Sequence, residues 1–260
     1  MATTVFVLTF ILLVIAHEYE HANEMHKQGF VIAEAGFGIP FPTLYSFRHP
    51  KWFFGAKFNV HLIPYMAYVK PKGEDLERID KLPYEQAVLI AGAGPWGSIV
   101  YALPILLLTT TSWKFATIGS LIFILLTVGK KWFCKYGTVV LGLAITIMLF
   151  HMFYKIGFHG LISISPENSF PGSIAKITEG MKIRQALAGA AIGSVLLGVT
   201  NCLLILPFDG GRIFKALLRK MKAPELLVDC LTVIPAIVVV LFMIMALFGD
   251  MIGTVRWLLK

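Results

Sequence analysis

Six long apolar runs limit what this chain can fold into. They cover residues 5–22, 86–108, 115–133, 137–156, 185–207 and 226–249. Most of them approach the roughly 20 residues that a helix needs to cross the hydrocarbon core of a bilayer. Because 57% of the 260 residues are hydrophobic and 15% are charged, a water-soluble domain with one core under a polar surface is excluded. We predict an all-α polytopic membrane protein with about six transmembrane helices in a single domain over residues 1–260.

The charges of the connecting segments predict the orientation of this protein. Cytoplasmic loops of membrane proteins are enriched in Lys and Arg. Basic residues cluster in the long segment 27–82 and after the third and fifth runs, whereas the loop between the second and third runs carries only Lys114. These segments are expected to face the cytoplasm, in a plasma or inner membrane. The formal net charge of +8 then indicates contact with anionic lipid headgroups rather than with nucleic acid.

The first apolar run ends in His17-Glu18-Tyr19-Glu20-His21, an HExxH pattern. Residues four apart lie on one face of a helix, so both imidazoles can bind one metal ion while Glu18 stands beside them. Neutral imidazoles suit Zn²⁺, and an unligated carboxylate can take a proton from an attacking water. The alternative interpretation is a polar helix end at the membrane surface, which explains the polarity but not the spacing.

Two histidines leave a zinc site one protein ligand short, and Asp209 reaches the same predicted depth at the end of the fifth run. It lies in the segment Asn201–Arg212, which contains Pro207 and the pair Gly210-Gly211. By itself, an Asp-Gly-Gly sequence is more typical of the N-cap of a short helix, here one that runs to about Met221. Next to an HExxH at matching depth, a third metal ligand is the favoured interpretation.

Three separated stretches resemble the site-2 protease family of intramembrane zinc metalloproteases. The HExxH at 17–21 is the first, and the segment 201–211 is similar to the family's Asn-x-x-Pro-x-Pro-x-Leu-Asp-Gly-Gly motif. The third is Ala91-Gly92-Ala93-Gly94-Pro95-Trp96-Gly97-Ser98, similar to Ala-Gly-Pro-x-x-Asn and preceded by the related stretch 62–70. The chain departs from the family at Leu204, Leu206 and Phe208, and Ser98 stands where Asn is common. No stretch is long and polar enough for a PDZ or CBS domain.

The resemblance implies roles for individual residues of this chain. His17, His21 and Asp209 become the zinc ligands, Glu18 the general base and Asn201 a substrate contact. A packing amide within the helix bundle is an equal interpretation of Asn201. Zinc follows from the ligand types, and iron or cobalt also suits a His₂-carboxylate set.

Two further features accompany the motifs. Glu24 returns to the face of His17 after seven residues, and we interpret it as a residue that supports the site or is solvated rather than as a ligand. The segment 30–70 is rich in Gly, Pro and aromatic residues, and Lys57–Leu62 alternates like a strand. The family resemblance implies a small membrane-associated β-element there, with an exposed edge in the 57–65 strand that pairs with an unwound substrate. An amphipathic loop anchored by Trp52, Phe53 and Phe54 is the alternative.

The predicted function is intramembrane proteolysis: zinc-dependent hydrolysis of peptide bonds in the transmembrane segments of membrane-protein substrates, on the cytoplasmic side. The alternative is a non-catalytic membrane metal-binding protein or a metal transporter, since histidines and carboxylates inside a helix bundle can form an ion path. The unligated Glu18 disfavours that alternative.

Overall fold

The computed structural model describes residues 1–63, 66–148, 178 and 180–258. Helices predominate and a small sheet follows the first helix. We number the helices α1 (Ala2–Lys27), α2 (Gly73–Asp80), α3 (Tyr84–Thr109), α4 (Trp113–Val128), α5 (Lys130–Met148), α6 (Ile183–Asn201), α7 (Asp209–Lys220) and α8 (Glu225–Leu258). The strands are β1 (Ile32–Phe37), β2 (Thr43–Arg48), β3 (Lys57–His61) and β4 (Ala67–Pro71).

Four of the described helices, α1, α3, α5 and α6, are long and apolar enough to cross a membrane. The predicted count of about six spans is therefore not confirmed. With 16 residues, α4 extends about 24 Å, less than the roughly 30 Å of a hydrocarbon core. The predicted span 226–249 lies within α8. The span predicted at 137–156 begins earlier, at Lys130, and its last residues, 149–156, fall outside the described residues.

The predicted helix 185–207 was too long, because α6 ends at Asn201. Residues 202–208 are non-helical and fold back so that α7 begins at Asp209. Pro207 lacks the amide hydrogen that a continuing helix needs. The two glycines at 210 and 211 let this segment pack on the start of α7. A Cβ on Gly210 would lie 2.1 Å from the Cys202 carbonyl oxygen.

Small side chains bring the three central helices α1, α3 and α6 into close contact. Every residue of α3 from Ile90 to Ser98 is buried. The buried face of α6 consists of Ala, Ser and Gly, and a Cβ on Gly198 would lie 2.8 Å from the Cβ of Ser98. Such small residues are typical of helix contacts in membranes, where close backbone approach supplies the van der Waals packing. The same closeness places α3 directly behind the HExxH residues of α1.

The predicted β-element is a four-stranded sheet in the order β2-β3-β1-β4. The β1–β3 pair is parallel and the other two pairs are antiparallel. Apolar residues from β1 and β3 pack with Met25 and Phe30, which lie at and just after the last turn of α1. Phe53 is 2% exposed in this core, so its interpretation as a surface anchor was wrong. Trp52 is 44% exposed.

The strand that we predicted at 57–65 is confirmed over Lys57–His61, but its predicted open edge is not. As β3 it lies inside the sheet and pairs with β2 on one side and β1 on the other. Both backbone edges of β3 are therefore occupied. Within the described chain β4 pairs only with β1, so it is the edge strand that also contacts α1.

Candidate metal centre

Three buried side chains meet where α1 ends its apolar run and α7 begins. The Nε2 atoms of His17 and His21 are 3.2 Å apart. The Oδ2 atom of Asp209 lies 3.3 Å from the first and 3.1 Å from the second. These residues are the one group of His, Cys, Asp and Glu among the described residues whose atoms lie close enough to share a metal ion.

Local structure explains each contribution to this cluster. His17 and His21 are four residues apart on α1 and therefore lie on one face. Asp209 is the first residue of α7, whose N-terminus has no side-chain cap. Its carboxylate contacts the imidazoles instead, so the N-cap interpretation of Asp209 was wrong.

Helix α3 forms hydrogen bonds with both imidazole rings through their Nδ1 atoms. The Nδ1 atom of His21 lies 2.7 Å from the backbone carbonyl oxygen of Ile90, and the Nδ1 atom of His17 lies 2.8 Å from the hydroxyl of Ser98. Because a carbonyl oxygen only accepts hydrogen bonds, Nδ1 of His21 carries a proton, and in the neutral ring the Nε2 lone pair is then free. The Ser98 hydroxyl can accept from His17 in the same way. Such outer contacts fix the tautomer and orientation of metal-binding histidines.

The arrangement fits a tetrahedral metal ion. Ligand atoms bound at 2.0–2.1 Å in a tetrahedron lie about 3.3–3.4 Å apart, close to the 3.1–3.3 Å edges of this triangle. With both rings neutral, three electron-rich atoms converge with no hydrogen between them, so a cation at this point, either a metal ion or a proton, stabilises the arrangement. Gly94 leaves the space for it, since a Cβ there would lie 2.1 Å from His21 Nε2 and 2.5 Å from His17 Nε2.

The electrostatics of Asp209 favour the ionised carboxylate. Burial alone would raise its pKa, but the neighbouring His21 and His17 imidazoles outweigh burial and hold the pKa well below its usual range. The carboxyl group is therefore deprotonated at neutral pH, which is the form that binds a metal ion.

An apolar cavity of about 560 Å³ opens beside the cluster. Glu18 and Asn201 line this cavity, and Glu18 lies outside the cluster of three ligand atoms. The Asn201 amide donates to the carbonyl of Leu197 in its own helix at 3.0 Å. The other walls come from apolar residues of α1, from β4 and from the segment before Asp209; they include Phe6, Phe10, Val14, Ala67, Tyr68, Val69, Pro207 and Phe208.

Glu24 and His26 lie outside the cluster. Glu24 forms an ion pair with Lys27 at 3.7 Å. The exposed His26 ring stacks on Phe54 with centroids 4.2 Å apart. His61, which lacks ligand-like spacing, is buried in the sheet and bonds the Tyr68 hydroxyl at 3.1 Å.

The sequence analysis missed a buried polar group beside the metal-binding face of the HExxH helix, where α1 also packs against α3. Glu20 is 3% exposed. Its carboxylate accepts hydrogen bonds from the Tyr101 hydroxyl and from Lys130 Nζ, both at 2.5 Å. Lys130 also lies over the Trp96 ring at 4.4 Å. This group connects α1 to α3 and to the start of α5. Only an acidic residue on the buried side of α1 hinted at it, and the sequence does not identify the partners.

The model of peptidase family M50 matches residues 5–245, a range that includes all three residues of the cluster and Glu18. A search among curated proteins found no match to this chain.

Proposed function

Since this chain belongs to peptidase family M50, the site-2 protease family of metallopeptidases, we propose that it is a zinc-dependent intramembrane protease. In this proposal it hydrolyses peptide bonds within transmembrane segments of other membrane proteins. The observation that supports this proposal most directly is the buried triangle of His17, His21 and Asp209, whose ligand atoms have the spacing expected around a tetrahedral metal ion. Three protein ligands leave a fourth position open, as catalytic zinc sites require.

The proposed chemistry divides between the metal and Glu18. When bound, Zn²⁺ supplies Lewis acidity that polarises the scissile carbonyl and lowers the pKa of water. Glu18 lines the cavity beside the cluster without belonging to it. Its carboxylate is free to accept a proton from the attacking water and to return it to the leaving amine. Ser98 and the Ile90 carbonyl keep the two imidazoles oriented during these steps.

A transmembrane substrate must unwind before it can be cleaved, because a helix keeps its peptide bonds hydrogen-bonded inside the bilayer. We propose that the unwound segment adds as a strand to the edge of β4. Three β4 residues, Ala67, Tyr68 and Val69, line the cavity that contains Glu18. Strand addition supplies backbone hydrogen bonds to a segment that has lost its own. We therefore assign substrate pairing to β4 instead of the 57–65 strand, because both edges of that strand are occupied.

Asn201 is proposed as a second substrate contact. It lies at the end of α6 and lines the same cavity. Its amide nitrogen donates one hydrogen bond to Leu197, and its side-chain oxygen and second amide hydrogen can bond an unwound backbone. The basic segments predict that the site faces the cytoplasm in a plasma or inner membrane, with anionic lipids around it.

The proposal is tested by metal analysis and cleavage on the same preparations. Wild-type protein purified in detergent without chelator should contain about one zinc per chain, and Asp209→Ala and His21→Ala should contain none. Glu18→Gln should keep the zinc but lose cleavage of a synthetic transmembrane peptide with a Gly-Pro pair in its apolar stretch. Glu24→Gln is the matched control on the same helix and should keep both properties, because Glu24 pairs with Lys27 outside the cluster.

Two results would contradict the proposal. Cleavage by Glu18→Gln at the wild-type rate would remove Glu18 from the chemistry. Full zinc content in wild type together with no cleavage of any transmembrane peptide would favour the alternative, a membrane metal-binding protein or transporter.

A further inference from the structure

A second cavity, of about 370 Å³, adjoins the cavity of the metal centre. Residues of β4, α2, α3 and α7 line it. Met25, Val69 and Arg212 line both cavities, so the two share a wall. Arg212 follows Asp209 by three residues on α7 and therefore lies about one helical turn from the metal ligand.

The second cavity is cationic. Its lining contains Lys70, Arg212, Lys215 and Arg219, and none of its described lining residues is acidic. The three α7 residues stand at positions i, i+3 and i+7, which is the spacing of one helix face. We call this second cavity the cationic cleft.

Two of the four cations already have acidic partners. Lys70 pairs with Glu34 at 3.6 Å, and Arg219 bonds both carboxylate oxygens of Glu225 at 3.2 Å. Arg212 and Lys215 form no ion pair within 4.0 Å in the part of the chain that the structure describes. The two cations closest in sequence to the metal ligand Asp209 are thus available to an anionic group.

We propose that the cationic cleft binds acidic side chains of the substrate. These side chains belong to the part of the substrate that extends from the scissile bond along α7. This inference rests on the proposed protease function. Along α7, Arg212 and Lys215 lie about 4.5 and 9 Å from Asp209 at 1.5 Å per residue. An extended chain advances roughly 3.3 Å per residue. The recognised Asp or Glu therefore lies within about four residues of the cleaved bond.

The cleft would make the protease selective among transmembrane segments. Cytoplasmic flanks of such segments are usually rich in Lys and Arg, and the cleft repels these charges. An acidic flank is rare by comparison and is attracted. Discrimination thus arises from repulsion of the common flank as well as attraction of the acidic one.

Binding to inactive protein tests the inference without requiring turnover. Three synthetic peptides share one transmembrane stretch and differ only in a flank that carries two Asp, two Asn or two Lys. Full-length Glu18→Gln protein should bind the Asp peptide about fivefold or more tighter than the Asn peptide, and the Lys peptide more weakly than either. The preference should shrink as salt is raised.

Variants then locate the preference. Arg212→Gln with Lys215→Gln in the Glu18→Gln protein should bind the Asp and Asn peptides equally. The matched control is Lys131→Gln with Lys222→Gln, two exposed cations outside the cleft, which should keep the preference. Zinc content of each variant checks that the neighbouring centre remains intact.

Three outcomes would overturn the inference. The first is equal binding of the three peptides by the Glu18→Gln protein. The second is an Asp preference that survives the substitution of Arg212 and Lys215. The third is unchanged peptide binding by the Arg212→Gln, Lys215→Gln protein when that protein has lost affinity for phosphatidylglycerol vesicles. The last outcome would assign the cleft to anionic lipid. Failure of the protease proposal is distinguishable, because wild type would then cleave no peptide while the inactive protein still showed charge-dependent binding.

Discussion

Gly94 makes a sharp test of the metal centre, because the structure leaves no room for a side chain there. In Gly94→Ala the new Cβ would lie 2.1 Å from His21 Nε2 and 2.5 Å from His17 Nε2. Carbon atoms rest about 3.5–4.0 Å from non-bonded heavy neighbours, so the rings or α3 must move apart by about 1–2 Å. Metal sites tolerate deviations of about 0.2 Å in ligand distance.

We therefore expect Gly94→Ala to lower zinc affinity at least about 100-fold, equivalent to about 2.7 kcal/mol. Competition with a zinc-binding dye on detergent-purified protein measures this affinity, and circular dichroism checks the helix content. Gly92→Ala is the matched control. It adds the same methyl group to the same helix, 2.8 Å from the Cα of Cys134 rather than near the imidazoles.

Gly92→Ala should destabilise the packing of α3 against α5 by about 1–3 kcal/mol and keep the zinc affinity within a few fold of wild type. Wild-type zinc affinity in a folded Gly94→Ala protein would refute the close approach of α3 to the two histidines. Equal loss of zinc in both variants would mean that packing damage, not contact with the imidazoles, explains the effect.

Three further predictions follow from single contacts. Ser98→Ala removes the hydrogen bond to His17 and should weaken zinc binding about 10- to 100-fold, measured by the same dye competition; unchanged affinity would refute the orienting role. Lys130→Met leaves the Glu20 carboxylate buried without its cation and should lower the free energy of unfolding, measured in detergent, by about 3–5 kcal/mol. Adding Glu20→Met should recover part of this loss. Tyr68→Phe leaves two buried side chains of the sheet without their shared hydroxyl and should cost about 1–3 kcal/mol, with the zinc content unchanged.

The ion pairs of this protein differ in how much they are expected to stabilise the fold, depending on their exposure to solvent. Exposed pairs such as Lys81–Glu77 contribute little, because solvent screens them. The Glu20–Lys130 pair is different, since both side chains are mostly withdrawn from solvent. This pair ties the HExxH helix to α5, so its loss is expected to affect stability before it affects the chemistry.

The sequence alone determined the features that depend on local spacing. A spacing of four residues, close to one turn of 3.6, places His17 and His21 on one helix face whatever the rest of the chain does. The described parts of the six apolar runs contain helices, although the run 115–133 is divided between α4 and α5, and the alternation at Lys57–His61 predicted a strand. Pro207 and the glycines after Asp209 marked the break between helices, although the predicted helix extended past its observed end at Asn201.

Only the tertiary structure decided which distant groups meet. The partner of His21 on α3 is the Ile90 backbone carbonyl, and every residue has such a group, so no side-chain pattern identifies it. Strand order depends on pairing between segments far apart in sequence, which is why the interior position of β3 was not predicted. The bond between Glu20 and Lys130 joins residues 110 positions apart. Periodicity determines which side chains share one face of a helix. The packing of whole helices determines which distant residues those side chains contact, because many pairs of segments satisfy the same local pattern.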